Sequence, residues 1–161
     1  MTLRGVPLDV FVEQSADRRR SSVAVEAHSP TAIVVRRSAG DGRQVAAVLE
    51  AWLRQEARRE LEHRAALRAA EMRVAPRRIT VRDQKTRWGS ASCRGTLSFS
   101  WRLVLCPPDI LDYVVVQELA HLLHAGHGTR FWSLVRRHAP AADHHRRWLR
   151  LNEARLRHAL D

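Results

Sequence analysis

Hydrophobic and polar positions change period several times along the chain, and each change marks an element. Residues 23–27 (VAVEA) and 32–36 (AIVVR) are short runs rich in β-branched side chains, separated by His28-Ser29-Pro30-Thr31. Two such runs around a Ser-Pro turn predict a hairpin. Ser38-Ala39-Gly40-Asp41-Gly42 then breaks the chain, since these residue types favour turns. From residue 44 to residue 72 there is no Gly or Pro. Val45, Val48, Leu49, Trp52, Leu53, Ala57, Leu61 and Ala65 recur there at helical spacing, with Arg and Glu opposite. That pattern predicts one long helix, or two joined by a bend.

Val74-Ala75-Pro76 ends the helical run, and residues 79–82 (ITVR) alternate like a strand. Leu97, Phe99 and Trp101 alternate with Ser98 and Ser100, giving a second strand with one apolar face. Cys106-Pro107-Pro108-Asp109 opens a helix over residues 108–124, because proline suits a first turn and Asp109 and Asp112 favour its positive end. Ala125-Gly126 stops it. Residues 130–138 predict a short helix, and residues 142–159 a final one burying Trp148, Leu149, Leu151 and Leu156. The expected class is α+β: a small antiparallel sheet packed with helices. Residues 1–42 form an N-terminal hairpin region, and residues 43–161 form the main domain, including the helix over 44–72.

At 161 residues the chain holds one domain with a real core. No apolar run has the length of a membrane span, and the first residues lack the apolar core of a signal peptide. These features predict a cytoplasmic protein with no membrane partner. Cys93 and Cys106 form no CxxC pair and read as free thiols. A net charge of +11 points to anionic partners, nucleic acid among them. Yet Lys85 is the one lysine among many arginines, which reads as coding bias, and the charge is spread along the chain.

The helix over residues 108–124 carries the chemistry. Gln117-Glu118-Leu119-Ala120-His121 has the form of HExxH with glutamine in first place. Residues 117 and 121 project side by side from one face. Two histidines there grip one Zn²⁺, and the intervening glutamate reaches a metal-bound water as general base. A catalytic zinc needs a third protein ligand, and His127 lies at the offset found in HExxHxxGxxH enzymes. Val114, Val115, Val116, Leu119, Leu122 and Leu123 make the helix apolar almost all round. Gln117, Glu118, His121 and His127 are then costly unless they share a site.

At these residues the chain resembles the YgjP-like metallopeptidase-domain family, zincin-type hydrolases related in motif to the SprT and WLM groups. The carrying residues are Lys85-Thr86-Arg87-Trp88-Gly89-Ser90, Leu97-Ser98-Phe99-Ser100-Trp101-Arg102-Leu103, Pro107-Pro108, Asp112-Tyr113-Val114-Val115-Val116, Glu118-Leu119-Ala120-His121-Leu122, Gly126-His127-Gly128 and Phe131-Trp132. Order and spacing agree from about residue 79 to residue 151. The resemblance implies a zincin-like α+β fold whose active-site helix is followed by C-terminal helices. It implies His121 and His127 as zinc ligands, Glu118 as catalytic base, and the strand near residues 97–101 along the substrate cleft. It implies a peptide substrate, or a nucleoside triphosphate in a UTP pyrophosphatase-like reaction.

The chain departs from the family pattern at Gln117, where the family has histidine. It also carries Gly126-His127-Gly128 for Asn-His-Ser, and Ala91-Ser92 ahead of Cys93 where the family reads Trp-Gly-Ser-Cys. Three outcomes follow for the metal. Gln117 ligates weakly through its carbonyl oxygen; His124 substitutes; or the metal is lost, leaving a pseudoenzyme that binds nucleic acid or protein through its basic surface. Arg87, Trp88 and Arg102 are candidate substrate contacts. Arg87 and Arg102 read equally well as partners of Asp83 or Asp112, and Trp88, Trp101 and Trp132 as core. His138, His144, His145 and His158 read as surface residues.

Overall fold

The computed structural model describes residues 1–15, 20–25 and 31–160. Its elements run β1 (Thr2–Leu3), β2 (Val6–Pro7), β3 (Asp9–Ser15), β4 (Ser22–Val25), β5 (Ala32–Ser38), α1 (Val45–Met72), β6 (Arg78–Arg82), β7 (Gly89–Ala91), β8 (Thr96–Ser100), a 3₁₀ helix (Trp101–Leu105), α2 (Pro108–His121), α3 (Thr129–His138) and α4 (Ala142–Arg157). The α+β class is as expected. Among the described residues no helix is long and apolar enough to cross a membrane.

The long helical run is a single helix. Its residues Leu49, Leu53, Ala57, Leu61, Ala65 and Ala69 are buried at four-residue intervals. A four-residue repeat overshoots one helical turn by roughly 40°, so the buried stripe winds around α1. The first turns face the N-terminal sheet, where Val48 and Leu49 pack with Leu8, Ile33 and Val35. The rest faces the main core, with Leu53, Leu61 and Met72 beside Trp101, Leu105 and Val115. One helix thus serves two cores. Its outer face carries i,i+4 ion pairs, Arg54–Glu50 at 2.6 Å and Arg64–Glu60 at 3.1 Å.

The N-terminal sheet has the order β3-β5-β4. β4 and β5 pair antiparallel with Val23 opposite Val35, as the hairpin requires; its expected turn at His28-Ser29-Pro30 lies outside the described residues. β3 was not legible in the pattern, and it pairs parallel with the other edge of β5. The turn between β1 and β2 clips onto the end of the 3₁₀ helix, just ahead of α2. Arg4 and Gly5 donate to the carbonyls of Val104 and Leu105 at 2.8 and 3.2 Å. Gly5 has φ 79°, and a Cβ there would sit 2.8 Å from Pro107 Cγ, so only glycine makes this approach.

The second sheet, ordered β6-β8-β7, is mixed and not antiparallel as expected. β8 is central, parallel to β6 and antiparallel to β7. Alternation identifies a strand but does not choose its partner or direction, and a three-residue strand such as β7 leaves little pattern to read. Trp101 also differs from expectation. It leaves the strand and begins the 3₁₀ helix, where it is fully buried.

α2 runs through the middle of the main core. Val114, Val115 and Val116 are poor helix formers, but all are buried, and packing decides the conformation. Asp112 on α2 is 7% exposed and meets Arg68 of α1 through contacts of 2.5 to 3.1 Å. His145, expected at the surface, is buried on α4, its ring 5.7 Å from Tyr113 and its Nδ1 3.8 Å from Asp109. The apolar stripe of α4 is interrupted there, and a histidine's dual character hides which side it faces.

The Arg68–Asp112 pair ties α1 to α2 at a half-buried position. Arg68→Met leaves the Asp112 carboxylate without its fork, and should cost about 2–3 kcal/mol in urea unfolding. A loss no larger than that of Arg58→Met, on the exposed face, would show that the pair is ornamental.

Candidate active site

Residues from the end of α1, β7, the β7–β8 turn, α2, the α2–α3 loop and α4 converge on one cleft of about 1010 Å³. Gln117, Glu118, His121 and His127 all line it, with Arg87 and Trp88. Arg102 is not among its lining residues. Its guanidinium pairs with Asp83, donates through Nε to the Arg157 carbonyl at 3.2 Å, and lies 4.4 Å from the Trp101 ring centre. The structural alternative for Arg102 is therefore the one observed.

Glu118 is 5% exposed on a helix buried on nearly every side. Gly89 makes its place. A Cβ at Gly89 would lie 2.6 Å from Glu118 Cγ and 2.7 Å from its Oε1. The Trp88-Gly89-Ser90 run thus lays a strand with no side chain directly against the carboxylate. Among the described residues no cation pairs with that carboxylate. Burial pushes its pKa up to about 7, opposed by the charge of Arg87.

His121 ends α2, one turn after Gln117. Its Nδ1 is 3.3 Å from the His124 carbonyl oxygen. A carbonyl can only accept, so this contact is a hydrogen bond when Nδ1 carries the proton. That leaves the Nε2 lone pair free, the usual arrangement behind a metal-ligating histidine. Burial holds the ring's pKa below its ordinary value, which favours the neutral, ligating form. The chain reverses through residues 122–126, and the His127 ring returns to 4.7 Å from that of His121, edge to face. Phe131 packs against both rings, at 4.5 and 4.8 Å, and Trp132 stacks on His127 at 5.9 Å. The two histidines are thus positioned by an aromatic wall from α3. His124 gives its backbone to the site, and its side chain is not among the lining residues.

The donor set can be judged from these residues. Two imidazoles and the half-buried Gln117 amide share the cleft. Among the described residues no three His, Cys, Asp or Glu side chains group to hold a metal ion. The donors available in the cleft are two imidazole nitrogens and one neutral amide oxygen, a poorer set for zinc than three imidazoles.

Sequence reading missed several parts of the site. Gly89 was visible in a motif, but its service to Glu118 is a three-dimensional fact. The strand expected along the cleft, residues 97–101, is central and has a neighbour on both sides. The edge facing the cleft is β7, whose Gly89, Ser90 and Ala91 all line it. Phe131 stood in the motif list without a role, and its contacts to both histidines supply one.

The raised pKa of Glu118 has a thermodynamic consequence in the metal-free protein. Between the ordinary carboxylate range and pH 7, the folded chain holds this proton and the unfolded chain does not. Stability therefore falls as pH rises through that window, and the full penalty is present above about pH 7. Glu118→Gln removes the charge and should stabilise by on the order of 3 kcal/mol at pH 8, with little change at pH 4. Urea unfolding in EDTA measures both; an equal effect at the two pH values refutes the buried charge.

No curated protein matches the chain. The crystal structure of the metallopeptidase zymogen of Pyrococcus abyssi abylysin is similar over 47% of this chain and 76% of that one, at 20% identity and a TM-score of 0.44. A likeness that weak is recorded and carries no weight. The family model described as YgjP-like, metallopeptidase domain, matches residues 1–152. It takes in the N-terminal sheet and α1 as well as the helix with Glu118 and His121, and the chain belongs to the YgjP-like metallopeptidase-domain family.

Proposed function

We propose that this protein is a metal-dependent hydrolase acting on peptide bonds, with a metal site weakened by Gln117. The observation that carries this reading is Glu118: a buried carboxylate, seated under Gly89 and opening on a cleft shared with His121 and His127. Nothing in the packing requires an acid there, and its cost is recovered only if it handles a proton. His121 Nε2, a ring nitrogen of His127 and the Gln117 carbonyl oxygen would hold the ion. Zinc bound there would supply Lewis-acid polarisation of the scissile carbonyl and acidify a water.

The chain's own residues do the rest. Glu118, with a pKa near 7, is balanced to accept a proton at Oε1 and to return it to the leaving amine. The charge of Arg87 tempers that pKa. β7 is an edge strand with its length along the cleft, and an extended peptide can add to it by backbone hydrogen bonds. The edge strand favours a peptide over a nucleoside triphosphate, which has no backbone to pair.

The shortage of nitrogen donors supports a second reading, a metal-poor scaffold that binds without cleaving. Metal analysis separates the two. Protein purified without chelator and supplied with zinc should retain it, and His127→Ala should lose it. No retained zinc at all would leave the scaffold reading standing.

Two substitutions test the site further. Gln117→His restores a nitrogen donor and should tighten zinc by more than the roughly 10–100-fold typical of outer ligand-shell changes, as read by chelator competition. Unchanged affinity would mean that residue 117 does not meet the ion. Gly89→Ala keeps an ordinary backbone conformation but forces the Glu118 carboxylate aside. Hydrolysis by the zinc-loaded variant should fall about 100-fold while zinc content holds; full activity would show that Glu118 has slack.

A further inference from the structure

Six arginines line the cleft, Arg73, Arg77, Arg87, Arg94, Arg146 and Arg150, against two carboxylates, Glu118 and Glu153. Glu153 is already engaged, pairing with Arg157 at 3.2 Å. Much of the arginine charge outside the cleft is answered locally, as in Arg54–Glu50, Arg64–Glu60, Arg68–Asp112 and Arg102–Asp83. In the cleft, Arg146 has Asp143 at 3.6 Å. The other five have no ion-pair partner among the described residues.

These arginines come from separate elements. Arg73 caps the end of α1 in a left-handed conformation, φ 56°. Arg77 precedes β6, and its backbone N–H donates to the Gly95 carbonyl at 2.8 Å. That contact brings it beside the β7–β8 turn that carries Arg94. Arg146 and Arg150 are on α4, and Arg87 immediately precedes Trp88 and β7. Like charges focused in one cleft repel one another, and an anion relieves the cost.

The kind of anion follows from what surrounds the guanidiniums. Bases of a nucleic acid need free aromatic faces to stack on. Trp88 lines the cleft, but the Arg157 guanidinium already lies 4.1 Å from its ring centre. Trp132 is likewise taken by His127, Arg136 and Arg146. The cleft offers instead a strand edge at β7 that an extended polypeptide can join, and guanidinium forks, which match carboxylates as well as phosphates in geometry. An apolar contact is also present, since Leu123 lines the cleft and is 49% exposed.

We infer that the cleft selects acidic polypeptide segments, pairing their backbone with β7 and their Asp and Glu side chains with Arg73, Arg77 and Arg94 at one wall and Arg150 at another. The inference rests on the hydrolase reading for where the scissile bond lies, but its binding step stands without catalysis.

Binding is measured on the intact metal-free Glu118→Gln protein, by fluorescence anisotropy with a labelled Glu-rich ten-residue peptide, its Gln-substituted counterpart and a ten-nucleotide DNA strand. The Glu peptide should bind roughly tenfold more tightly than the Gln peptide, a preference of about 1.4 kcal/mol. Arg94→Glu and Arg150→Glu should each remove most of that preference. Arg137→Glu, on the exposed face of α3 outside the cleft, should leave it intact. Equal affinity for the two peptides, or an equal loss in Arg137→Glu, overturns the inference. So does a DNA strand that displaces the Glu peptide and binds more tightly than it. The zinc-loaded wild-type protein is then offered both peptides. Cleavage of neither, with the binding preference present, removes the hydrolase reading and keeps the acidic-segment site. Cleavage of both with equal affinity does the reverse.

Discussion

A carboxylate on a helix that is apolar on nearly every face can meet water in one direction only, and in this protein that direction is set by Gly89. α2 brings Glu118 to the edge of the main core. β7 passes so close above it that any side chain at residue 89 would occupy the same space. Desolvation and access are therefore adjusted together. The strand that shields Glu118 from bulk water is also an edge strand of the sheet. Much of the rest serves to hold these two elements in register. β8 fixes β7 from the sheet side, and α1 backs α2 through its winding stripe and the Arg68–Asp112 pair. The β1–β2 turn clamps the 3₁₀ helix that leads into α2.

This dependence explains which features could be read from sequence. Helices α1, α2, α3 and α4 each show a long period, or a proline start and a glycine stop, and their boundaries fall within a few residues of expectation. Glu118, His121 and His127 were legible because their spacing is a property of one helix and the turn that follows it. What could not be read depends on non-local pairing. β3 joins β5 across the whole β4 hairpin. β6 runs parallel to β8 with β7 on the far side. No local pattern encodes those choices, and so the cleft-facing strand was misplaced by one. His145 was misjudged for a related reason, since a single polar position says nothing about the neighbour that buries it.

Charge tells a similar story at larger scale. Composition gives the number of arginines, which coding bias can explain, but not where their counter-charges lie. On α1 the sequence answers arginine with glutamate one helical turn away, and the structure shows those pairs formed. The cleft collects arginines from the end of α1, the β7–β8 turn and α4, which are far apart in sequence, and among them Arg146 alone has an ion-pair partner among the described residues, Asp143. A spread of charge that looked featureless along the chain becomes concentrated only when the fold closes.

Gln117 sits between these two effects. It lies one turn before His121 on the same helix, in a cleft whose net charge is strongly positive. A cation entering such a cleft is opposed by the arginines, and a neutral amide does less than a carboxylate or a well-placed imidazole to offset that repulsion. An anionic segment changes the balance. Once its carboxylates neutralise the guanidiniums, the field against a divalent ion falls, and the two ligands become mutually supporting in the sense of linked equilibria. Under the proposed metal site and the inferred acidic ligand, retention of the ion and binding of the segment would therefore be linked through the arginines, and the neutral donor at residue 117 would leave the ion most exposed to that field.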